Sequence, residues 1–279
     1  MKFSLILNHN VFAKLRRPHR FRSSRTIERP ANQHTNSIYN MTNTALQFEN
    51  IVKRYDKKKT VLQGLNLQIA KGEFFGLVGM NGAGKTTLIK CLLDFCAADE
   101  GTIEIFGVNH RLTHARAPLA FLPERFMPPY YLTGMDFLKY MLKLQGRSYD
   151  SVEAEALLRG LDLEIAALSR PVRAYSKGMT QKLGLAACFL AHKDLYVLDE
   201  PMSGLDPKAR ALLKARLQDL RSRDCTLFFS SHALADVEEI CDRMAILHDG
   251  QLRFVGSPGE CRRRYESDTL EQAYMRCIA

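Results

Sequence analysis

Gly79-Met80-Asn81-Gly82-Ala83-Gly84-Lys85-Thr86-Thr87 is the stretch from which the fold can be read. It fits G-x-x-x-x-G-K-[ST], the pattern of a loop that cradles phosphates. Glycines permit a tight turn at positive φ, so that consecutive backbone N–H groups point inward at phosphate oxygens, helped by the N-terminus of the helix that follows. Lys85 then reaches the β- and γ-phosphates, and the Thr86 hydroxyl suits the Mg²⁺ that nucleoside triphosphates carry. A chance match has odds on the order of one in a hundred in a chain of this length. The flanks remove that doubt: Phe74-Phe75-Gly76-Leu77-Val78 is an apolar run suited to a buried strand, and Leu88, Ile89, Leu92 and Leu93 recur at helical spacing. Nucleotide binding is the expectation.

Length and composition bound what surrounds this loop. A chain of 279 residues, 46% hydrophobic, can bury a large core as one domain or two lobes. No apolar run approaches the roughly 20 residues that cross a bilayer, and Ser4-Leu5-Ile6-Leu7 is too short for a secretory signal. If the protein works at a membrane, another chain supplies the spans. The seven cysteines are odd in number, scattered and without a C-x-x-C pair, which indicates neither a disulfide framework nor a zinc site and fits a reducing cytoplasm. The formal charge of +10 invites a nucleic-acid reading, but its distribution argues otherwise. Lys2, Lys14, Arg16, Arg17, Arg20, Arg22, Arg25 and Arg29 stand against Glu28 alone, and the rest of the chain is close to balance.

Residues 1–44 therefore read as a basic, disordered extension. Three explanations compete: an organellar transit peptide, a tail for anionic lipid or nucleic acid, or upstream sequence before a start at Met41. The last is preferred, because a domain spanning 45–279 begins directly after it. Residues 45–107 look β-rich, with alternation in Leu65-Asn66-Leu67-Gln68-Ile69, a strand at Thr102-Ile103-Glu104-Ile105-Phe106 and a hairpin tip at Lys57-Lys58-Lys59. They should form a small antiparallel layer beside the phosphate loop. Tyr55 could stack on a base there, although packing is the commoner use of such a residue.

From about 128 to 192 the pattern turns helical. Met135, Leu138, Met141 and Leu142 share one face, Ala154, Leu157, Leu158 and Leu161 a second, and Leu183, Ala186 and Leu190 a third on a helix starting near Gly178. Ala174-Tyr175-Ser176-Lys177-Gly178-Met179 is a polar turn opening that last helix, hence a possible anion site. Leu195-Tyr196-Val197-Leu198 is a buried strand ending in Asp199-Glu200-Pro201. An acidic pair at such a strand end suits Asp199 to the Mg²⁺ shell and Glu200 to taking a proton from attacking water. A further strand, Thr226-Leu227-Phe228-Phe229, delivers Ser230-Ser231-His232, where His232 could meet the γ-phosphate. A helix over about 233–242, a hairpin at His248-Asp249-Gly250 and a helical tail complete the chain.

This ordered set resembles the ATP-binding cassette (ABC) family, the motor subunits of ABC transporters, over residues 45–279. The resemblance implies an α/β fold: a P-loop NTPase core with an antiparallel β layer and an inserted helical lobe at about 125–190. By similarity, Tyr55 takes the place of the adenine-stacking aromatic, and Gly79, Met80, Asn81, Gly82, Ala83, Gly84, Lys85, Thr86 and Thr87 form the phosphate loop. Ser176, Gly178 and Met179 lie in the signature loop, Asp199 and Glu200 in the second acidic motif, Asp206 in the dimer-contacting loop, and His232 at the switch position. Two places depart from the common pattern. The signature reads Tyr175-Ser176-Lys177-Gly178-Met179, keeping the hydroxyl and the close-approach glycine. Glu124 stands where a glutamine usually senses Mg²⁺ and water; a carboxylate still binds Mg²⁺, with added negative charge. Both variants resemble those of exporter ATPases.

The resemblance further implies an ATPase with Lys85, Glu200 and His232 as catalytic residues, Thr86, Asp199 and Glu124 on the metal, and ATP and Mg²⁺ as cofactors. Its partners would be integral membrane permease subunits and a second ATP-binding subunit, a homodimer or a paralogue, closing head to tail over ATP. No nucleic acid is expected, and the place is the cytoplasmic face of the cell membrane. The alternative is a soluble cassette acting on ribosomes or nucleic acid; such proteins carry paired cassettes or a long coiled coil, and neither is present.

Overall fold

The computed structural model describes residues 43–55 and 59–279. The basic extension up to residue 42 and the Lys57-Lys58 part of the expected hairpin tip lie outside the described residues. In chain order the elements are β1 (Thr44–Arg54), β2 (Thr60–Ala70), β3 (Phe74–Val78), α1 (Lys85–Leu92), β4 (Glu100–Ile105), β5 (Val108–Asn109) and β6 (Leu119–Leu122). Then follow α2 (Gly134–Leu144), α3 (Ser151–Gly160), α4 (Lys177–Leu190), β7 (Leu195–Asp199), α5 (Pro207–Arg221), β8 (Thr226–Ser231) and α6 (Leu234–Ile240). A hairpin of β9 (Arg243–His248) and β10 (Gln251–Gly256) precedes α7 (Pro258–Arg264) and α8 (Leu270–Ile278).

Two sheets result. One is antiparallel, in the order β2-β1-β4-β5, which is the expected β layer. The other runs β10-β9-β3-β8-β7-β6, parallel except for β10. β3 lies at its centre with every residue buried. Its side chains alternate between faces, as a pleated strand requires. Phe74 and Val78 pack into a core shared with α2 to α8, while Phe75 and Leu77 pack into a second core with α1 and the antiparallel sheet. That is why the run is apolar throughout instead of alternating.

The helical stripes expected between 128 and 192 are observed. Leu138, Leu142, Ala154, Leu157, Leu158 and Leu161 are buried, and Met135 and Met141 pack against them partly exposed. α4 begins at Lys177 because the Ser176 hydroxyl accepts from the Met179 N–H and caps it. Its residues from Gln181 to Leu190 are all buried, a wider apolar surface than the one-faced stripe of the sequence reading. The helix expected over 233–242 stops at Ile240. Cys241 is already extended, and the Asp242 carboxylate accepts the Phe74 N–H at 2.8 Å, pinning the chain to the start of β3. The C-terminal tail packs back through Leu270, Ala273 and Tyr274. Among the described residues no helix is long and apolar enough to cross a membrane.

Candidate active site

The parallel strands end together. β3 pairs with β8 so that Val78 meets Ser231, and β7 pairs with β8 so that Asp199 meets Ser230. In a sheet of this kind ligands gather at the carboxyl ends of the strands, and the phosphate loop, the acidic pair and His232 all leave from that edge.

The loop from Gly79 to Gly84 joins β3 to α1. A β-carbon on Gly79 would stand 2.4 Å from the Leu247 carbonyl oxygen, so only glycine lets the loop lie against β9 there. Gly84 caps α1 at φ 115°, a conformation closed to side-chain-bearing residues. Met80, Asn81 and Gly82 form the exposed crest, while Ala83 and Lys85 are buried beneath it. Lys85 Nζ donates to the Gly79 carbonyl at 2.6 Å and lies 3.4 Å from that of Met80. The same ammonium is 3.3 Å from Glu200 Oε1. The Met80 backbone also meets the Tyr274 hydroxyl of α8, so the tail touches the loop crest.

Asp199 ends β7 with 1% of its surface exposed. Its carboxylate accepts from the hydroxyls of Ser230 and Thr86. Burial raises its pKa above the ordinary carboxylate range, the two hydroxyls pull it down, the nearby Glu124 carboxylate raises it and Lys85 lowers it. Glu200 adopts φ 51°, a left-handed conformation that a glutamate rarely takes and that is commonest at functional sites. Its N–H donates to Ser230 Oγ at 2.9 Å. One carboxylate oxygen lies 2.8 Å from His232 Nδ1. The other, Oε1, is buried without an aligned hydrogen bond among the described residues and faces the Lys85 ammonium at 3.3 Å. Ser230 thus joins Asp199 to the backbone of Glu200, a part the sequence reading missed; the pairing of two buried strands was the signal that would have shown it.

The donor set fits a small hard cation. Thr86 and Asp199 present hydrogen-bonded oxygens within one cluster, and the exposed carboxylate of Glu124 is close enough to act on Asp199. Tyr55 is 58% exposed, with its hydroxyl bonded to Thr87 and Cys96 and the Lys53 ammonium 5.6 Å from the ring centre.

The signature residues touch the segment after Glu200. Among the described residues no hydrogen bond or ion pair joins 176–179 to 79–87. Ser176 is exposed, Gly178 and Met179 are half-buried, and Gly178 approaches the Gly204 carbonyl. Lys177 Nζ donates to Ser203 Oγ at 3.3 Å, and Gln181 Nε2 donates to the Pro201 carbonyl at 3.0 Å. Asp206 caps α5 by accepting from the Ala209 N–H at 2.9 Å.

Comparison with known proteins agrees with this geometry. The family model described as ABC transporter matches residues 62–203. An uncharacterized ABC transporter ATP-binding protein of Nostoc sp. is 39% identical over 208 residues, covering 74% of this chain and 62% of the relative. The chain thus spans about three-fifths of that relative's length. The bacitracin transport ATP-binding protein BcrA of Enterococcus faecalis is 35% identical, with 74% of this chain and 67% of the relative covered. The Nod factor export ATP-binding protein I of Paraburkholderia xenovorans is 34% identical, with 78% and 72% covered. A solved structure of the ATP-binding subunit of an ABC transporter superposes with a TM-score of 0.77 at 30% identity, covering 84% of this chain and 99% of that one. On the matched motifs, their order and the shared architecture, this chain belongs to the ABC transporter family and has the fold of its ATP-binding cassette.

Proposed function

We propose that the protein binds and hydrolyses ATP and that this drives export of a substrate through separate integral membrane permease subunits. The observation that carries this reading is the meeting of Lys85, Thr86, Asp199, Glu200 and His232 at one edge of the parallel sheet. Lys85 leaves the loop carbonyls to meet the β- and γ-phosphates, and Glu200, relieved of its cation, accepts a proton from the attacking water. His232 steadies both Glu200 and the γ-phosphate. Thr86, Asp199 and Glu124 would hold Mg²⁺, which supplies positive charge to the phosphate oxygens when bound. Tyr55 takes the adenine face, and the N–H groups of residues 79–87 take the phosphates.

Ser176, Gly178, Met179 and Asp206 serve a second ATP-binding subunit, a homodimeric copy or a paralogue, whose nucleotide they cover. That no hydrogen bond or ion pair joins 176–179 to 79–87 among the described residues supports that division. Residues 45–279 would form the cassette, with 125–190 as the lobe that meets the permease on the cytoplasmic side of the membrane. The names of the relatives, transport and export, favour this over a cassette acting on ribosomes or nucleic acid.

The test is an affinity pull-down of tagged Glu200→Gln protein from detergent-solubilised host membranes with ATP present. Recovery of a multi-span polypeptide in near-equal amount is expected. Recovery of ribosomal or DNA-bound partners without any integral membrane protein would overturn the transport reading.

A further inference from the structure

The first helix after the phosphate loop ends in a reversal that brings two sulfurs together. Asp94 sits at φ 60°, its N–H donates to the Cys91 carbonyl at 3.1 Å, and the Phe95 N–H reaches back to the Lys90 carbonyl at 2.9 Å. This is a left-handed helix stop, and it turns the chain back alongside the helix it has just left. Cys96 then lies with its Sγ 3.6 Å from Cys91 Sγ, both cysteines being free thiols. Cys91 is wholly buried in the core beneath the antiparallel sheet, whereas Cys96 is partly exposed and hydrogen-bonded to the Tyr55 hydroxyl.

We propose that Cys91 and Cys96 form a peroxide-sensitive dithiol, whose reversible closure to a disulfide loosens Tyr55 and weakens ATP binding. The second half rests on the proposed nucleotide role of Tyr55. The two sulfurs have unequal parts. Burial pushes the Cys91 thiol up to about 12, so it stays protonated and waits. Cys96 is the sulfur that solvent reaches. Its thiolate attacks one oxygen of hydrogen peroxide; the O–O bond breaks, leaving a sulfenic acid on Cys96 and hydroxide, which takes up the proton Cys96 gave. Cys91 sulfur then attacks Cys96 sulfur, the S–O bond breaks, and the hydroxyl leaves as water with the proton of Cys91. Two thiols and one peroxide become one disulfide and two waters, and a thiol reductant reverses the change.

Closure must shorten the 3.6 Å contact to about 2.05 Å. Cys91 is fixed within α1 and the core, so Cys96 does most of the moving. That takes its sulfur away from the Tyr55 hydroxyl and leaves Thr87 as the bonded partner there. Thr87 and the Lys53 ammonium, 5.6 Å from the ring centre, are then left to hold a ring that is more than half exposed.

The test uses the full chain, reduced and then treated with dilute hydrogen peroxide. Both cysteines fall in one tryptic peptide, 91–111, because Lys90 and Arg111 bound it. The expected product is that peptide two hydrogens lighter and resistant to alkylation, restored by dithiothreitol, together with ATP affinity lowered roughly fivefold to tenfold in calorimetry. Cys91→Ala removes the second sulfur and leaves Cys96 beside Tyr55, so it should bind ATP as the reduced protein does and form no disulfide under peroxide. Two alkylatable thiols after treatment of the parent protein, or a disulfide with unchanged ATP affinity, would overturn the proposal. So would an equal peroxide-induced loss of affinity in Cys91→Ala. Reduced, untreated protein that binds no ATP would sink the nucleotide reading and with it the coupling, while the peptide mass would still decide whether the disulfide forms.

Discussion

His232 and Glu200 are 32 residues apart in the chain and 2.8 Å apart in space, Nδ1 to Oε2. With Lys85 on the other oxygen, the carboxylate is gripped from both sides at the end of a buried strand. In the proposed function, a carboxylate gripped in this way would be restrained until a phosphate competes for the lysine. Glu200→Gln keeps the size and a hydrogen bond to His232 but has no basic oxygen. Phosphate release should fall by roughly 10²–10⁴-fold while ATP binding persists. Turnover near the parent rate would remove Glu200 from the role of base.

Ser230→Ala removes the hydroxyl that donates to Asp199 and accepts from the Glu200 N–H. The orphaned buried groups should lower stability by about 1–3 kcal/mol, read as a lower denaturation midpoint at unchanged slope. Asp199 also loses a donor to its charged form, so its pKa climbs further. The acid limb of the activity–pH profile should then shift upward; a profile superimposable on the parent's would show that Ser230 does not govern Asp199.

Asp199→Asn should separate stability from function. Burial has raised the folded pKa of Asp199 above its unfolded value, near 4, so its contribution is full below that value and lost as pH rises through the raised one. Wherever Asp199 is ionised, the folded protein carries a disfavoured buried carboxylate. Asn keeps an acceptor for Ser230 and should raise stability by about 0.5–2 kcal/mol, with the gain shrinking toward acid pH. Mg²⁺-dependent ATP hydrolysis should fall at the same time. A melting temperature lowered at neutral pH would contradict the electrostatic account.

Gly84→Ala puts a β-carbon at φ 115° and 2.9 Å from the Leu62 side chain. The loop must rearrange to accept it, and its N–H groups with it. ATP affinity should drop at least roughly tenfold, with a smaller change in far-UV circular dichroism than in binding. Equal ATP affinity in calorimetry would mean that the loop's backbone does not hold the phosphates.

Much of this was legible in the residues. Phe74-Phe75-Gly76-Leu77-Val78 and Leu195-Tyr196-Val197-Leu198 announce strands buried on both faces, and the order of the motifs after them carries the family. The parts that stayed hidden depend on where separate strands meet. Nothing around Ser230 marks it as important until β7 and β8 are in register. Likewise α6 stops at Ile240, and Asp242 just beyond it is bonded to Phe74 at the start of β3, far away in the sequence. The left-handed turn at Glu200 goes with the bond from its own N–H to Ser230 on the neighbouring strand, and glutamate as a residue type gives no hint of it.

The contacts of Lys177 with Ser203 and of Gln181 with Pro201 make the opening turn of α4 and the segment after Glu200 a single mechanical part. Ser203 is bonded in turn to the Glu200 carbonyl, at 3.0 Å. In the proposed function a load placed on Ser176 would pass, through the side chains of Lys177 and Ser203 and the Ser203 N–H, to Glu200, whose backbone is held in an uncommon conformation. The exposed loop would then act as a trigger whose travel ends at Glu200, and slack in that linkage, introduced by Lys177→Ala, would slow turnover at unchanged ATP affinity.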